Sequence, residues 1–373
     1  MIHIDRRLIK NFDWVTLSIV IVIVFIGILT IYSATRPVLE EDGYSFYIRQ
    51  AIWLIFGIAG LFLMVSFDYI RLSRLSIYLY IIGFISLISV FIFGREGMGA
   101  QRWISLGPLS FQPSEFFKLF YVIMLSHQLS SANGALRTIH FFRLFFLVVF
   151  IPFVLLLKQP DLGTALIILT IFLSLTLARG IQRKILILFI IIGIISLPFI
   201  GTIFWEGLKD YQKNRIIAFM EPGVDPTGIG YHINQSKITV GSGKLFGKGY
   251  LKGTQGPFRF LPEKHTDFIF AVFSEEWGFL GSISLLSLYM LIILRGLKTA
   301  IDARDDFGRY LALGITFMFL IYCIVNIGMT LGIMPVVGIP LPFMSYGGTA
   351  LLSNLISLGI LINIRTRRFE LFH

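Results

Sequence analysis

The stretch LPEKHTDFIF, Leu261 to Phe270, ends a long polar, glycine-rich segment and opens a strongly apolar one. Asp267 stands at that boundary, two residues after His265. A carboxylate there has two readings. It caps the helix that starts with FIFAVF, a task Asp performs well, or it is a general base at a site beside a membrane. A second group lies in FQPSEFFKLF. Pro113 suits a first helical turn, which places Glu115 and Lys118 at i and i+3 on one face. Charges at membrane depth point into a bundle interior or a wet cavity, so this pair is a packing strut, the wall of a polar cavity, or both. In KQPDLGTA, Asp161 and Thr164 have the spacing of a helix cap, and capping alone would account for them.

Cationic and amide side chains surround these groups in sequence. Arg49, Arg102 and Gln112 fall near the starts of apolar segments. A lone interfacial arginine is an anchor that snorkels to headgroups, whereas several around one acidic group make an anion site. The segment from Trp205 to Thr266 holds Lys209, Lys213, Arg215, Lys237, Lys244, Lys248, Lys252, Arg259 and Lys264, an excess over its carboxylates. Such an excess attracts anionic lipid or grips a pyrophosphate. GSGKLFGKG within it is not a P-loop, because only three residues separate Gly243 from Gly247 and Gly249 follows Lys248. Its glycines permit tight backbone turns near a bulky ligand.

Other chemistries drop out. No Ser-x-x-Lys occurs, so acyl-serine transpeptidation is not encoded. The six histidines never pair at zinc-ligand spacing. Asp302, Asp305 and Asp306 have no nucleotide-binding domain around them, which argues against a nucleotide-sugar donor.

The elements that hold these residues are membrane helices. Of 373 residues 56% are hydrophobic and 14% charged, against about a quarter charged in soluble domains. Hydropathy predicts about ten spans, near 14–33, 50–67, 75–94, 112–128, 143–157, 162–178, 185–204, 268–294, 310–332 and 345–364. The expected fold is an all-α polytopic membrane protein, one transmembrane domain over 1–373. A single long extracytoplasmic loop, 205–266, joins spans seven and eight. Basic residues concentrate in alternate short loops, which puts both termini in the cytoplasm. The net charge of +11 is mostly that orientation signal and is no sign of nucleic acid. Cys323 lies alone in a span. The loops LGPLSFQPSE and VGIPLPFMSYGG suggest re-entrant or broken backbone, tolerated at depth only where protein buries it or a cavity receives it.

Taken together, RWISLGPLSFQPSEFFK, QPDLGTA, YQKNRI, GYHINQSK, LPEKHTDFIFAVFSEEWGFLG and PFMSYGGTALL resemble the SEDS family (shape, elongation, division, sporulation) from about Arg102 to Arg365. DYQKNRI, HINQSKITVGSGKLFGKG and KGTQ are most similar to its rod-shape-determining (RodA) branch. The resemblance implies a peptidoglycan glycosyltransferase of the bacterial inner membrane, active on its outer face. It would polymerise lipid II beside a class B penicillin-binding protein and the elongation machinery. By the same match Asp267 is essential, and Arg49, Arg102, Glu115, Lys118, Asp161, Arg215 and Lys237 contribute to the cavity, with Gln112 and His265 as further substrate contacts.

For that reaction Asp267 would take the proton of the acceptor 4-hydroxyl, with inversion at the donor and no covalent intermediate. Cationic groups would stabilise the polyprenyl pyrophosphate leaving group. A divalent cation, Mg2+ or Mn2+, could share that load, though no ligand cluster in the sequence specifies one. Two rivals remain open here. A lipid II flippase would also use broken helices and intramembrane charges. A scaffold that only positions a partner would need none of this chemistry.

Overall fold

The computed structural model describes residues 11–369 apart from 43–44, 98–99, 107–108, 132–135, 137, 183, 186, 189–212, 214–216, 218–228 and 255–262. Long helices dominate: α1 (Trp14–Asp42), α2 (Phe46–Ser66), α3 (Ile70–Phe93), α4 (Pro113–Ser130), α5 (Thr138–Lys158) and α6 (Leu162–Arg179). A shorter α7 (Ile229–Ser242) follows, then α8 (Ile269–Ile301), α9 (Asp306–Thr330) and α10 (Gly348–Thr366). Apart from α4 and α7, each contains a stretch long and apolar enough to cross a membrane. The helix α4 passes through the bundle with charges buried inside it. Side-chain caps define two starts: Asp161 accepts from the Thr164 amide, and Asp305 accepts from the Gly308 amide at 2.8 Å.

Helices overlie the expected spans one to six and eight to ten, though α1 and α8 run on beyond the expected ends at 33 and 294 and α4 is not itself apolar enough to count as a crossing. Most of the expected seventh span, 185–204, lies outside the described residues. A correction concerns the stretch before α4. It is a small antiparallel sheet, β1 (Gly94–Gly97), β2 (Ala100–Leu106) and β3 (Leu109–Phe111), in the order β1-β2-β3. Ile104 pairs with Phe111 and Leu106 with Leu109. Strand pairing satisfies there the backbone groups that a re-entrant loop would leave to its surroundings. The 331–347 segment before α10 is irregular, and much of it is buried, including Val336, Val337, Ile339 and Leu341 to Ser345.

One end of the bundle is fastened by charge. Asp13 pairs with Arg295 of α8 and, at 3.0 Å, with Arg365 of α10. Both described chain ends therefore lie at that end, and the turn carrying Asp267 lies at the other end of α8.

The GSGKLFGKG stretch sits against a break in α8. Gly278 has φ +68, a conformation glycine adopts freely. Around it the ladder is exchanged with the 244–249 segment. Glu275 and Glu276 carbonyls accept from the Lys248 and Gly249 amides, while Phe279 and Leu280 amides donate to the Lys244 and Leu245 carbonyls. A Cβ on Gly247 would land on the Glu276 carbonyl oxygen, and one on Gly243 on that of Ser274. The glycines thus admit the protein's own α8, where the sequence suggested a ligand. Glu275, fully buried, accepts from Lys248 Nζ at 2.6 Å and from the Thr254 amide and hydroxyl at 2.9 Å.

Candidate active site

Two layers build the site. The deeper one starts on α4, where Glu115 Oε1 and Lys118 Nζ are 2.6 Å apart and both side chains are buried. Helical spacing brings them together, and the bundle closes over them. Lys118 also lies 4.7 Å from the centre of the Tyr322 ring on α9, a cation–π contact strengthened by exclusion of water. Asp161, at the start of α6, faces the same group. Its carboxylate accepts from Thr164 N and Oγ1 at 3.2 and 2.8 Å and from Ser114 Oγ at 3.3 Å. Gln112 donates to that Ser114 hydroxyl at 3.1 Å. Arg102, delivered by β2, places Nη1 3.7 Å from Asp161 Oδ1 and donates through Nη2 to the Pro160 carbonyl. Burial pushes Asp161 up, but Arg102, Lys118 and the Thr164 hydrogen bonds outweigh it and hold the carboxyl below its usual range.

This layer is not fully satisfied. Arg102 Nε, Glu115 Oε2 and Tyr322 Oη are buried without a hydrogen-bond partner among the described residues. Buried polar atoms normally have partners, so three orphans in one cluster mark a place built for polar ligand or water.

The upper layer is the turn 263–268. Thr266 Oγ1 donates to Glu263 Oε2 at 2.9 Å, and Phe268 N donates to the Glu263 carbonyl at 3.2 Å. Helix α8 takes Phe268 as its N-cap, with no side-chain cap bond. Asp267 stands one residue outside the cap position and is half-buried, so the capping reading does not account for it. His265 packs between Phe46 and Tyr346, with ring centres 4.6 and 5.6 Å away. Burial, assisted by the Lys264 charge, lowers its pKa to about 4, which leaves a neutral imidazole. Asn326 Nδ2 donates to the Asp267 carbonyl at 2.9 Å. Tyr322 and Asn326 occupy successive turns of α9, about 6 Å apart along its axis, so one helix face joins the two layers.

The structure therefore brings Arg102, Gln112, Glu115, Lys118 and Asp161 into one cluster, with His265 and Asp267 in the turn tied to the same α9. It does not bring in the rest. Arg49 is exposed on the first turn of α2, and Lys237 is exposed on α7 with its stem against Gly332. Arg215 lies outside the described residues. Tyr322 was missed from sequence because a tyrosine in an apolar span carries no spacing signal. Among the described residues no group of three His, Cys, Asp or Glu side chains is placed to hold a metal. Among the described residues of this cluster, Glu115 and Asp161 already face Lys118 and Arg102, so these two carboxylates do not make a divalent-cation site.

A bundle of membrane-length helices with ionisable groups buried near one end defines a polytopic membrane protein with a polar site inside its bundle. The chain belongs to the FtsW/RodA/SpoVE cell cycle protein family, whose model matches residues 13–370. It is 42% identical over 298 residues to the Escherichia coli peptidoglycan glycosyltransferase MrdB, covering 78% of each. A chain from a peptidoglycan synthase complex, solved for its coordination of polymerization and crosslinking, superposes with a TM-score of 0.81 at 31% identity over 96% of this chain and 99% of that one. The rod shape determining protein RodA of Thermus thermophilus superposes with a TM-score of 0.70 at 29% identity, covering 96% and 98%.

Proposed function

We propose that this chain is a peptidoglycan glycosyltransferase that polymerises lipid II, with Asp267 as its general base. The observation that carries this reading is the stacking of a half-buried carboxylate turn over a buried, unsatisfied Arg102–Asp161–Lys118–Glu115 cluster. The Asp267 carboxylate accepts the proton of the acceptor sugar's 4-hydroxyl. The freed oxygen bonds to the donor's anomeric carbon as the bond to polyprenyl pyrophosphate breaks, and the leaving group keeps that electron pair. An α-linked donor becomes a β-linked product, so the configuration inverts and no covalent enzyme intermediate is needed. General-base help of this kind is worth about 10²–10⁴-fold. Arg102 and Lys118 supply positive charge toward the pyrophosphate, which Arg recognises with its fork of donors. No step is routed through a divalent cation.

Orientation follows from the same arrangement. Arg295, Arg365, Arg367 and Arg368 gather at the end opposite Asp267, and the positive-inside rule makes that end cytoplasmic. The active site then faces the extracytoplasmic side of the bacterial membrane, where lipid II presents its sugars. With no transpeptidase motif of its own, the chain works with a class B penicillin-binding protein in the elongation machinery. The resemblance to a synthase complex chain supports this partner. A flippase is the weaker reading, because the ionisable cluster with orphaned atoms lies toward one end of the bundle.

Asp267→Asn is the discriminating change, since the amide keeps the size of the side chain but cannot take the hydroxyl proton. Expected are wild-type expression, thermal stability and partner binding, with polymerisation of purified lipid II reduced at least about 10²-fold. An Asn variant that polymerises at a near-normal rate would defeat the assignment.

A further inference from the structure

The backbone of the turn that bears Asp267 is held from outside. Helix α8 begins at Ile269, so its own ladder leaves the carbonyls of His265, Thr266 and Asp267 to other partners. Each is caught by a different donor. The Tyr346 amide donates to the His265 carbonyl at 2.9 Å, Ser345 Oγ to the Thr266 carbonyl at 2.7 Å, and Asn326 Nδ2 to the Asp267 carbonyl at 2.9 Å. Asn326 is fully buried, and its amide nitrogen donates a second time, to the Ile339 carbonyl at 2.8 Å. Ser345 Oγ accepts in turn from the Leu341 amide at 2.8 Å, and Gln50 donates to the Ser345 carbonyl at 3.0 Å.

One nitrogen bridging two carbonyls on two irregular segments is a narrow requirement. A primary amide offers two N–H donors on a short stem, a hydroxyl offers one, and an ionised carboxylate offers none. Apolar packing would fill the volume but leave both carbonyls buried without partners. Fixing three consecutive peptide planes fixes the direction in which the Asp267 side chain leaves the backbone. An error of about 1 Å in such a group can cost about 10²-fold in rate.

We propose that Asn326 is a positioning residue for glycan polymerisation. It sets the Asp267 carboxylate by tying the Asp267 carbonyl to that of Ile339, and Ser345 holds the preceding peptide. The inference rests on the assignment of Asp267 as the base.

The test is a double-mutant cycle on the purified full-length protein, with lipid II as substrate. Asn326→Ala and the isosteric Asn326→Asp are each measured alone and with Asp267→Asn. Expected for either alone is a fall in kcat of roughly 10–100-fold, with KM within about threefold, and a lowered melting temperature for the Ala variant, which strands two buried carbonyls. In the Asp267→Asn background, where there is no base left to aim, neither change should lower the residual rate further. Should the Asn326 variants fail to fold, Ser345→Ala carries the same cycle, with Ser345→Thr expected to restore the rate. An equal proportional loss in both backgrounds would show that Asn326 acts elsewhere and overturn the proposal. Wild-type kcat in Asn326→Ala would do the same while leaving Asp267 as the base. A near-normal rate for Asp267→Asn alone would remove the base assignment, and this inference with it.

Discussion

Lys118 Nζ lies 2.6 Å from Glu115 Oε1, three residues away on the same helix, and neither side chain is more than 4% exposed. Removing one member of a buried pair strands the other charge, at a cost of about 3–5 kcal/mol. Glu115→Gln and Lys118→Met should each lower the melting temperature and polymerisation together. The exchanged pair, Lys at 115 and Glu at 118, restores neutrality. It also turns a carboxylate toward Asp161 and the face of the Tyr322 ring, where Lys118 now acts. It should therefore recover part of the stability and none of the activity; full activity would reduce the pair to a strut.

The break in α8 is filled by the 244–249 backbone, with Gly247 at φ +79 against the Glu276 carbonyl. Gly247→Ala should be among the most destabilising surface-loop changes in the protein, because both the φ and the close approach forbid a Cβ. Lys248→Met removes the ammonium that meets fully buried Glu275 and should also lower the melting temperature, less than a fully buried pair would because Thr254 still donates to that carboxylate. Thermal unfolding in detergent checks both. If Gly247→Ala melts like wild type, the loop does not dock on the break.

Asp161 carries a testable acid limb. Its folded pKa lies below its unfolded value, so it contributes stability above about pH 4, lost as the pH falls through the folded value. Arg102→Ala withdraws the nearest opposing charge and should raise the folded pKa. The acid-side loss of stability should then begin at higher pH than in wild type, read from melting temperatures between pH 3 and 6. Unchanged acid limbs would mean that Arg102 does not hold the carboxylate.

His265 runs the same way in a higher pH range. Burial lowers its folded pKa to about 4, while the unfolded side chain titrates near 6.5. Between those values the unfolded chain binds more protons, so stability should decline as the pH falls from about 6.5 toward 4. His265→Phe keeps an aromatic ring between Phe46 and Tyr346 and removes the titration. That variant should lose this part of the pH dependence, and an identical slope would place its origin in another group.

Much of this protein is legible in its chain. Runs of apolar residues fix where helices cross, because backbone in hydrocarbon must bond to itself. The i, i+3 spacing of Glu115 and Lys118 and the cap spacing of Asp161 and Thr164 are local, so sequence reaches them directly. The partners of Asp161 are another matter: Arg102 arrives on a strand of a small sheet that Gly- and Pro-rich sequence did not announce. The Asp267 turn offered two readings in sequence, and the capping one fell only when the helix was seen to start after Phe268. Lys248 and Glu275, 27 residues apart, meet because a loop completes a broken helix. Tyr322 and Asn326 look like ordinary members of an apolar span until α9 packs between the charged cluster and the turn. Periodicity and local spacing follow from the geometry of one helix. Which faces meet, and which buried polar groups find one another, follows from packing several helices and loops at once, and that is decided only in three dimensions.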